Sequence, residues 1–162
     1  MVEELLDLLH RTRQHHAIEH ATLHVMLGRR PYRKVLSGYS DPYGFTILGE
    51  TDEESVRRGV GDALVRLQAG EKQLAVHPNC GTNFVTTAVL VTITALTTTR
   101  RTNRFERFAL TLLWVLPMLV AGKALGMWLQ RYTTCAEVSD RWVADIVPVN
   151  IGTMRAYRVL FD

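Results

Sequence analysis

The sequence is short of several things, and each shortage removes a class of protein. It has two cysteines, Cys80 and Cys135, too few and too far apart for the disulfide framework of a small secreted domain. It begins Met1-Val2-Glu3-Glu4, acidic where a cleavable export signal is basic, so no such signal is expected. The net charge of +3 comes from arginines scattered along the chain with little aromatic interleaving, a poor pattern for a nucleic-acid partner. No spacing suited to haem attachment or an iron–sulfur cluster is present. Between residues 81 and 99 there is no charged residue at all.

What is present divides unevenly. The 162 residues, 47% of them hydrophobic, suffice for one domain with a real core. Mean hydropathy near zero averages two unlike parts, since the first 80 residues have a soluble character and residues 84–130 do not. Residues 81–99 are long enough to span a bilayer but crowded with threonine, whose hydroxyls can return hydrogen bonds to a helix backbone. Residues 108–130 form a second apolar stretch, interrupted by Pro117, which should kink it, and by Gly122, Lys123 and Gly126. Lys123 reads as a side chain snorkelling to the interface. Arg100, Arg101, Arg104 and Arg107 gather between the two stretches. Such a cluster favours the cytoplasmic side, but that places some eighty N-terminal residues outside, so the orientation stays open.

Around this hairpin the pattern is mixed. Residues 2–28 read as one long helix ended by Gly28 and Arg29-Arg30-Pro31. Residues 39–44 carry turn chemistry and 45–48 a strand. Thr51-Asp52-Glu53-Glu54 reads as a capping box with Thr51 as N-cap, opening a helix that reaches about Ala69 and stops at Gly70. Residues 73–76 read as a second strand. The tail alternates as a hairpin, 142–149 against 154–161, turning at Asn150-Ile151-Gly152.

The chemistry concentrates in two places. His16 and His20 stand four residues apart, so on a helix their imidazoles leave one face, about 40° apart. Glu19 lies on the neighbouring row. His-x-x-Glu-His is the inverted zincin order, two metal-binding histidines and a glutamate general base. His77-Pro78-Asn79-Cys80-Gly81-Thr82 adds an imidazole and a thiol at the entrance to the first apolar stretch. Pro78 and Gly81 shape a loop there, with Thr82 and Asn83 placed to cap the following helix and orient ligands. The expected metal ligands are therefore His16, His20, His77 and Cys80, with Glu19 catalytic and zinc the cofactor that imidazole plus thiolate selects. His15 points elsewhere, and His24 continues the row as a reserve ligand but reads as a surface side chain. His10 lacks partners, and Cys135 reads as structural.

At these motifs the chain resembles the YqhQ-like bacterial membrane proteins described as predicted metal-dependent enzymes. The matching residues are His16 to His20, His77 to Thr82, and Leu129-Gln130-Arg131-Tyr132-Thr133-Thr134, with Leu116-Pro117 and Ala121-Gly122 in its penultimate span. It is similar over nearly its whole length to a smaller family carrying a domain of unknown function. That family has His-x-x-Glu-His-Ala-Thr, an Asp/Pro-Tyr/Trp-Gly-Phe turn and His-Pro-Asn-Cys-Gly-Thr-Asn. The resemblance implies a metal site at the membrane surface built from His16, Glu19, His20, His77 and Cys80. It implies no substrate, and the YqhQ-like proteins are larger, with additional spans.

The expected fold is α+β, with a long N-terminal helix, a small mixed sheet with one packed helix, and an inserted two-helix transmembrane hairpin. The expected division is residues 1–83 as the metal-motif region, 84–130 as the hairpin and 131–162 as a β-hairpin completing the sheet. The partners expected are the lipid bilayer and a second copy or another membrane protein, in a cell membrane crossed twice. Two functions are weighed ahead of a third, metal sensing or transport, for which two spans require oligomerisation. One is a zinc-dependent membrane hydrolase acting on a peptide or lipid-linked substrate. The other is a non-enzymatic membrane protein whose closed metal site staples the N-terminal helix to the first span, as an assembly or partner-binding module.

Overall fold

Nothing in the first 27 residues breaks a helix, and Glu3 and Glu4 in the first turn complement the positive end of its dipole. In the computed structural model, which describes residues 1–29, 35–98 and 103–162, one helix accordingly runs Val2–Arg29 (α1). Arg30 and Pro31, expected to end it, and Arg100 and Arg101 of the basic segment lie outside the described residues. The chain forms two compact units, one of residues 1–77 with 132–162 and one of residues 78–131.

In the first unit, four strands form a sheet in the order β1-β2-β4-β3: β1 Ser37–Asp41, β2 Gly44–Leu48, β3 Val143–Ile151 and β4 Met154–Phe161. Every pairing is antiparallel, and α1 and α2 (Glu53–Gln68) complete the α+β fold. The C-terminal hairpin and β2 lie where the alternation puts them. Residues 39–44, expected as turn throughout, turn only at Pro42-Tyr43; Asp41 pairs with Gly44 and Ser37–Asp41 is an edge strand. Its Ser/Gly/Asp composition hides it, because an edge strand needs only one hydrogen-bonding partner. Residues 73–76, expected as a strand, lie mostly in a 3-10 turn, Lys72–Ala75. The carbonyls of Ala75 and Val76 meet imidazoles of α1 instead of a neighbouring strand. Pro148 is accommodated because β3 is the other edge.

The apolar core joins Ala17, Ile18, Ala21 and Val25 of α1 to Val56, Val60, Ala63 and Leu67 of α2, and to Phe45, Ile47, Ile146 and Val159 of the sheet. Each large side chain buried there contributes about 1.5–3 kcal/mol. The N-cap of α2 is Asp52, one residue later than the capping box suggested; its carboxylate accepts from both the amide and the hydroxyl of Ser55. An ionised two-oxygen acceptor displaces the Thr51 hydroxyl from that role.

In the second unit, α3 (Gly81–Thr98) and most of α4 (Arg104–Thr133) are both long and apolar enough to cross a membrane, with mean hydropathies of 1.2 and 1.9. The threonine hydroxyls do turn back on the helix: Thr86 donates to the Thr82 carbonyl, Thr87 to Asn83 and Thr94 to Leu90. The α4 helix continues through Pro117. Gly122 and Gly126, four residues apart, are where α3 approaches most closely. A Cβ at Gly126 would stand 2.5 Å from Asn83 Cα, and one at Gly122 would stand 2.6 Å from Thr87 Cα. This is small-residue helix packing, backbone against backbone. Beside it Gln130 donates to the Asn83 side-chain oxygen (2.9 Å), while Asn83 donates to the Pro78 carbonyl (2.8 Å).

Two predictions follow from these contacts. Gly126→Leu is expected to force α3 and α4 apart and lower stability by about 1–3 kcal/mol, the usual cost of overpacking, measured by denaturant titration of the chain in detergent. The second concerns Asp41, which Arg158 meets at 2.7 Å. Burial pushes the Asp41 carboxyl up, but the Arg158 hydrogen bond and charge and the Tyr43 amide outweigh it and hold the group below the usual carboxylate range. A depressed pKa adds stability that is complete above the unfolded value and is lost as pH falls through the folded one. Acid titration of Asp41→Asn should therefore show a shallower loss of stability below about pH 4. The difference should stay under about 1 kcal/mol, as for a part-exposed ion pair.

Candidate metal centre

Four imidazoles of α1 make the same kind of contact. His15 Nδ1 lies 2.9 Å from the Asp41 carbonyl, His16 Nδ1 3.0 Å from Thr133, His20 Nδ1 2.7 Å from Ala75, and His24 Nε2 2.8 Å from Val76. A carbonyl only accepts, so the facing nitrogen in each ring carries the proton. When the ring is neutral, its other nitrogen holds a lone pair. Metal-binding histidines are oriented and made more basic in this way, one N–H given to a carbonyl and one lone pair to the ion.

Three of these rings, with His77, form a row. His16 and His20 stand 4.3 Å apart between ring centres, His20 and His77 5.7 Å, and His77 and His24 4.7 Å. His20 is 1% exposed, and its Nε2 is buried without a hydrogen-bond partner. A buried nitrogen with no partner costs about 1–3 kcal/mol, and a cation is the natural occupant for its lone pair. Burial pushes the His77 pKa down to about 4, and the neighbouring His24 and His20 act in the same direction. Its imidazole is therefore neutral at ordinary pH. Neutral imidazoles, one with an orphaned lone pair, fit a borderline divalent metal.

Glu19 is buried and turned toward β1, where Ser40 Oγ donates to its Oε2. His15 stacks on Phe161 at 4.8 Å, and burial pushes its pKa down. Cys80, three residues beyond His77, lies near the start of the second unit. Its sulfur accepts from the Thr82 amide at 3.3 Å, and its carbonyl accepts from the Asn83 amide. Asn83, expected to cap α3 and orient ligands, binds Pro78 and Gln130.

Several participants were not legible. Thr133, Ala75, Val76 and Asp41 contribute backbone carbonyls, which every residue type has. Ser40 and Gly38 sat in a segment with turn-like composition. His24 was read as a surface side chain although it extends the i, i+4 spacing, and that spacing was the signal that could have found it.

Gly38 is what lets the Glu19 carboxylate lie against β1. A Cβ there would stand 2.7 Å from Glu19 Oε1 and 2.9 Å from the Thr46 carbonyl. Gly38→Val is expected to expel the Glu19 side chain from its place against the strand. Differential scanning calorimetry should show a stability loss of about 1–3 kcal/mol, while Gly61→Ala on exposed α2 surface, where a Cβ meets nothing within 4 Å, should show none.

Comparison with known proteins adds a family. A protein of Picosynechococcus sp. (strain PCC 7002), described as uncharacterized, is 40% identical over 86 residues, which is 48% of this chain and 42% of that one. The chain thus spans about two fifths of that relative's length. No solved structure matches. The model of a domain of unknown function, DUF6391, matches residues 11–146, from the middle of α1 into β3, and the chain belongs to that family.

Proposed function

We propose that this chain is a membrane metalloprotein whose divalent ion, zinc by donor type, is held by His16 and His20 with Cys80 or His77, and that it hydrolyses a peptide or lipid-linked substrate. The observation that carries the reading is the buried Nε2 of His20, opposite the Nδ1 contact to Ala75 and without a hydrogen-bond partner among the described residues.

When bound, the metal supplies Lewis-acid polarisation of a water or a substrate carbonyl. The residues supply the rest. His16 and His20 present lone pairs from successive turns of one helix, kept in that tautomer by the Thr133 and Ala75 carbonyls. Glu19, adjacent to His20, takes the proton from the attacking water, its carboxylate oriented by the Ser40 hydroxyl. The apolar helices α3 and α4 form two spans that bring the substrate to the bilayer surface, alone or beside a second copy or another membrane protein.

The Ser40 hydrogen bond also favours a second reading. A carboxylate held to β1 can serve as a tether, with a closed four-ligand centre that only joins elements and forms an assembly or partner-binding module. Cobalt separates the two. The detergent-purified chain is expected to bind Co2+, with a thiolate charge-transfer band lost in Cys80→Ser and ion binding weakened in His16→Ala. Glu19→Gln should keep the ion and lower hydrolysis of a fluorogenic peptide or lipid-linked ester by about 10²–10⁴-fold, the range for a missing general base. Retained ion with unchanged hydrolysis in Glu19→Gln supports the closed centre, and no bound ion after reconstitution ends both readings.

A further inference from the structure

The row of imidazoles is longer than one ion can use. Two imidazoles on one ion, each nitrogen about 2.0–2.1 Å from it, put their ring centres roughly 4.5–5.5 Å apart. The His16–His20 and His77–His24 separations of 4.3 and 4.7 Å are close to that span, and His20–His77 at 5.7 Å joins the two pairs. His16 and His24 are eight residues apart on one helix, about 12 Å along its axis, so a single ion does not draw both ends of the row. His24 is nevertheless prepared as His16 and His20 are. Its Nε2 gives its proton to the Val76 carbonyl, leaving the Nδ1 lone pair on a ring edge-on to His77. Val76 immediately precedes His77, so the residue that fixes the His24 tautomer also fixes where His77 stands.

We infer a second divalent-cation position between His24 and His77, next to the one at His16 and His20, which together make the row a two-ion centre. The inference rests on the reading of His16 and His20 as a metal pair and extends it. A pair of imidazoles selects a borderline cation such as Zn2+, Ni2+ or Cu2+ over Mg2+ or Ca2+. Water completes the coordination, so this position is the weaker and more exchangeable of the two.

The test is a zinc titration of the full chain in detergent, with stoichiometry from calorimetry and elemental analysis. His24→Ala and His24→Gln are compared with the parent chain. Glutamine retains an N–H for the Val76 carbonyl but lacks the imidazole lone pair, so it protects the fold where alanine does not. The expected result is two ions per chain, the second binding at least tenfold more weakly, and one ion in both variants with the tighter affinity unchanged. One ion in the parent chain and an unchanged titration in His24→Gln would overturn the second position and leave the His16–His20 centre standing. Two ions in every variant would also overturn it, as would loss of all binding in His24→Gln, which would make His24 a ligand of a single centre. No ion in the parent chain would remove the metal reading itself.

Discussion

The contact on which the first unit depends is an imidazole N–H of α1 given to a backbone carbonyl, repeated at four positions. Each repeat brings a different segment to the helix. His15 holds the end of β1, His16 the last residue of α4, His20 the 3-10 turn and His24 the residue after it. Neighbouring side chains continue the pattern, since Gln14 donates to the Glu137 carbonyl and Arg13 to Thr134, while the Cys135 amide returns to the Arg13 carbonyl. Each carbonyl held outside α1 lies at the end of an element or in irregular chain. Buried carbonyls in irregular chain need donors from somewhere, and α1 supplies them. The helix is therefore apolar toward α2 and the sheet, and polar toward the loops.

This arrangement explains how much was legible. Helices and strands that close their own hydrogen bonds leave a periodic signature, and α1, α2, β2 and the C-terminal hairpin lie about where their patterns place them. The apolar stretches at 81–99 and 108–130 become α3 and α4 for the same reason. Segments satisfied by α1 leave no such signature. Residues 73–76 alternate like a strand, yet their last two carbonyls meet His20 and His24. Apart from Tyr39, β1 lacks the branched and aromatic residues of an ordinary strand, and its Gly38 and Ser40 are shaped to the Glu19 carboxylate.

The site divides in the same way. His16, Glu19 and His20 were visible from spacing, and His77 and Cys80 from their loop, because side-chain identity carries their chemistry. What directs the imidazoles is main chain, and main chain is silent in a sequence. The glycines of α4 were visible as interruptions, whereas their purpose needed α3 beside them. Gly122 and Gly126 are the surface on which Thr87 and Asn83 lie. The same Asn83 then receives Gln130 and reaches back to Pro78, in the loop that contains Cys80. The His-Pro-Asn-Cys-Gly-Thr-Asn and Leu-Gln-x-x-Thr-Thr segments thus meet through one hydrogen bond inside the second unit.

Energetics bear on whether this polar helix exists for the fold alone. Aliphatic side chains of similar volume in a buried row are commonly as stable as polar ones, or more so, because they leave nothing to desolvate. A carbonyl offsets the desolvation of one nitrogen per ring. For His20, and equally for His15, the second nitrogen is buried with no offset from the protein. At about 1–3 kcal/mol for each unmet group, two such nitrogens are a large charge against a domain whose whole margin is of order 5–15 kcal/mol. At His20 the neighbouring rings of His16 and His77 supply further nitrogen donors at metal-compatible spacing, so a cation recovers the loss. At His15 the neighbour is the face of Phe161, which offers none. The two orphaned nitrogens are thus chemically different, and the one in the histidine row is the one a metal ion can satisfy.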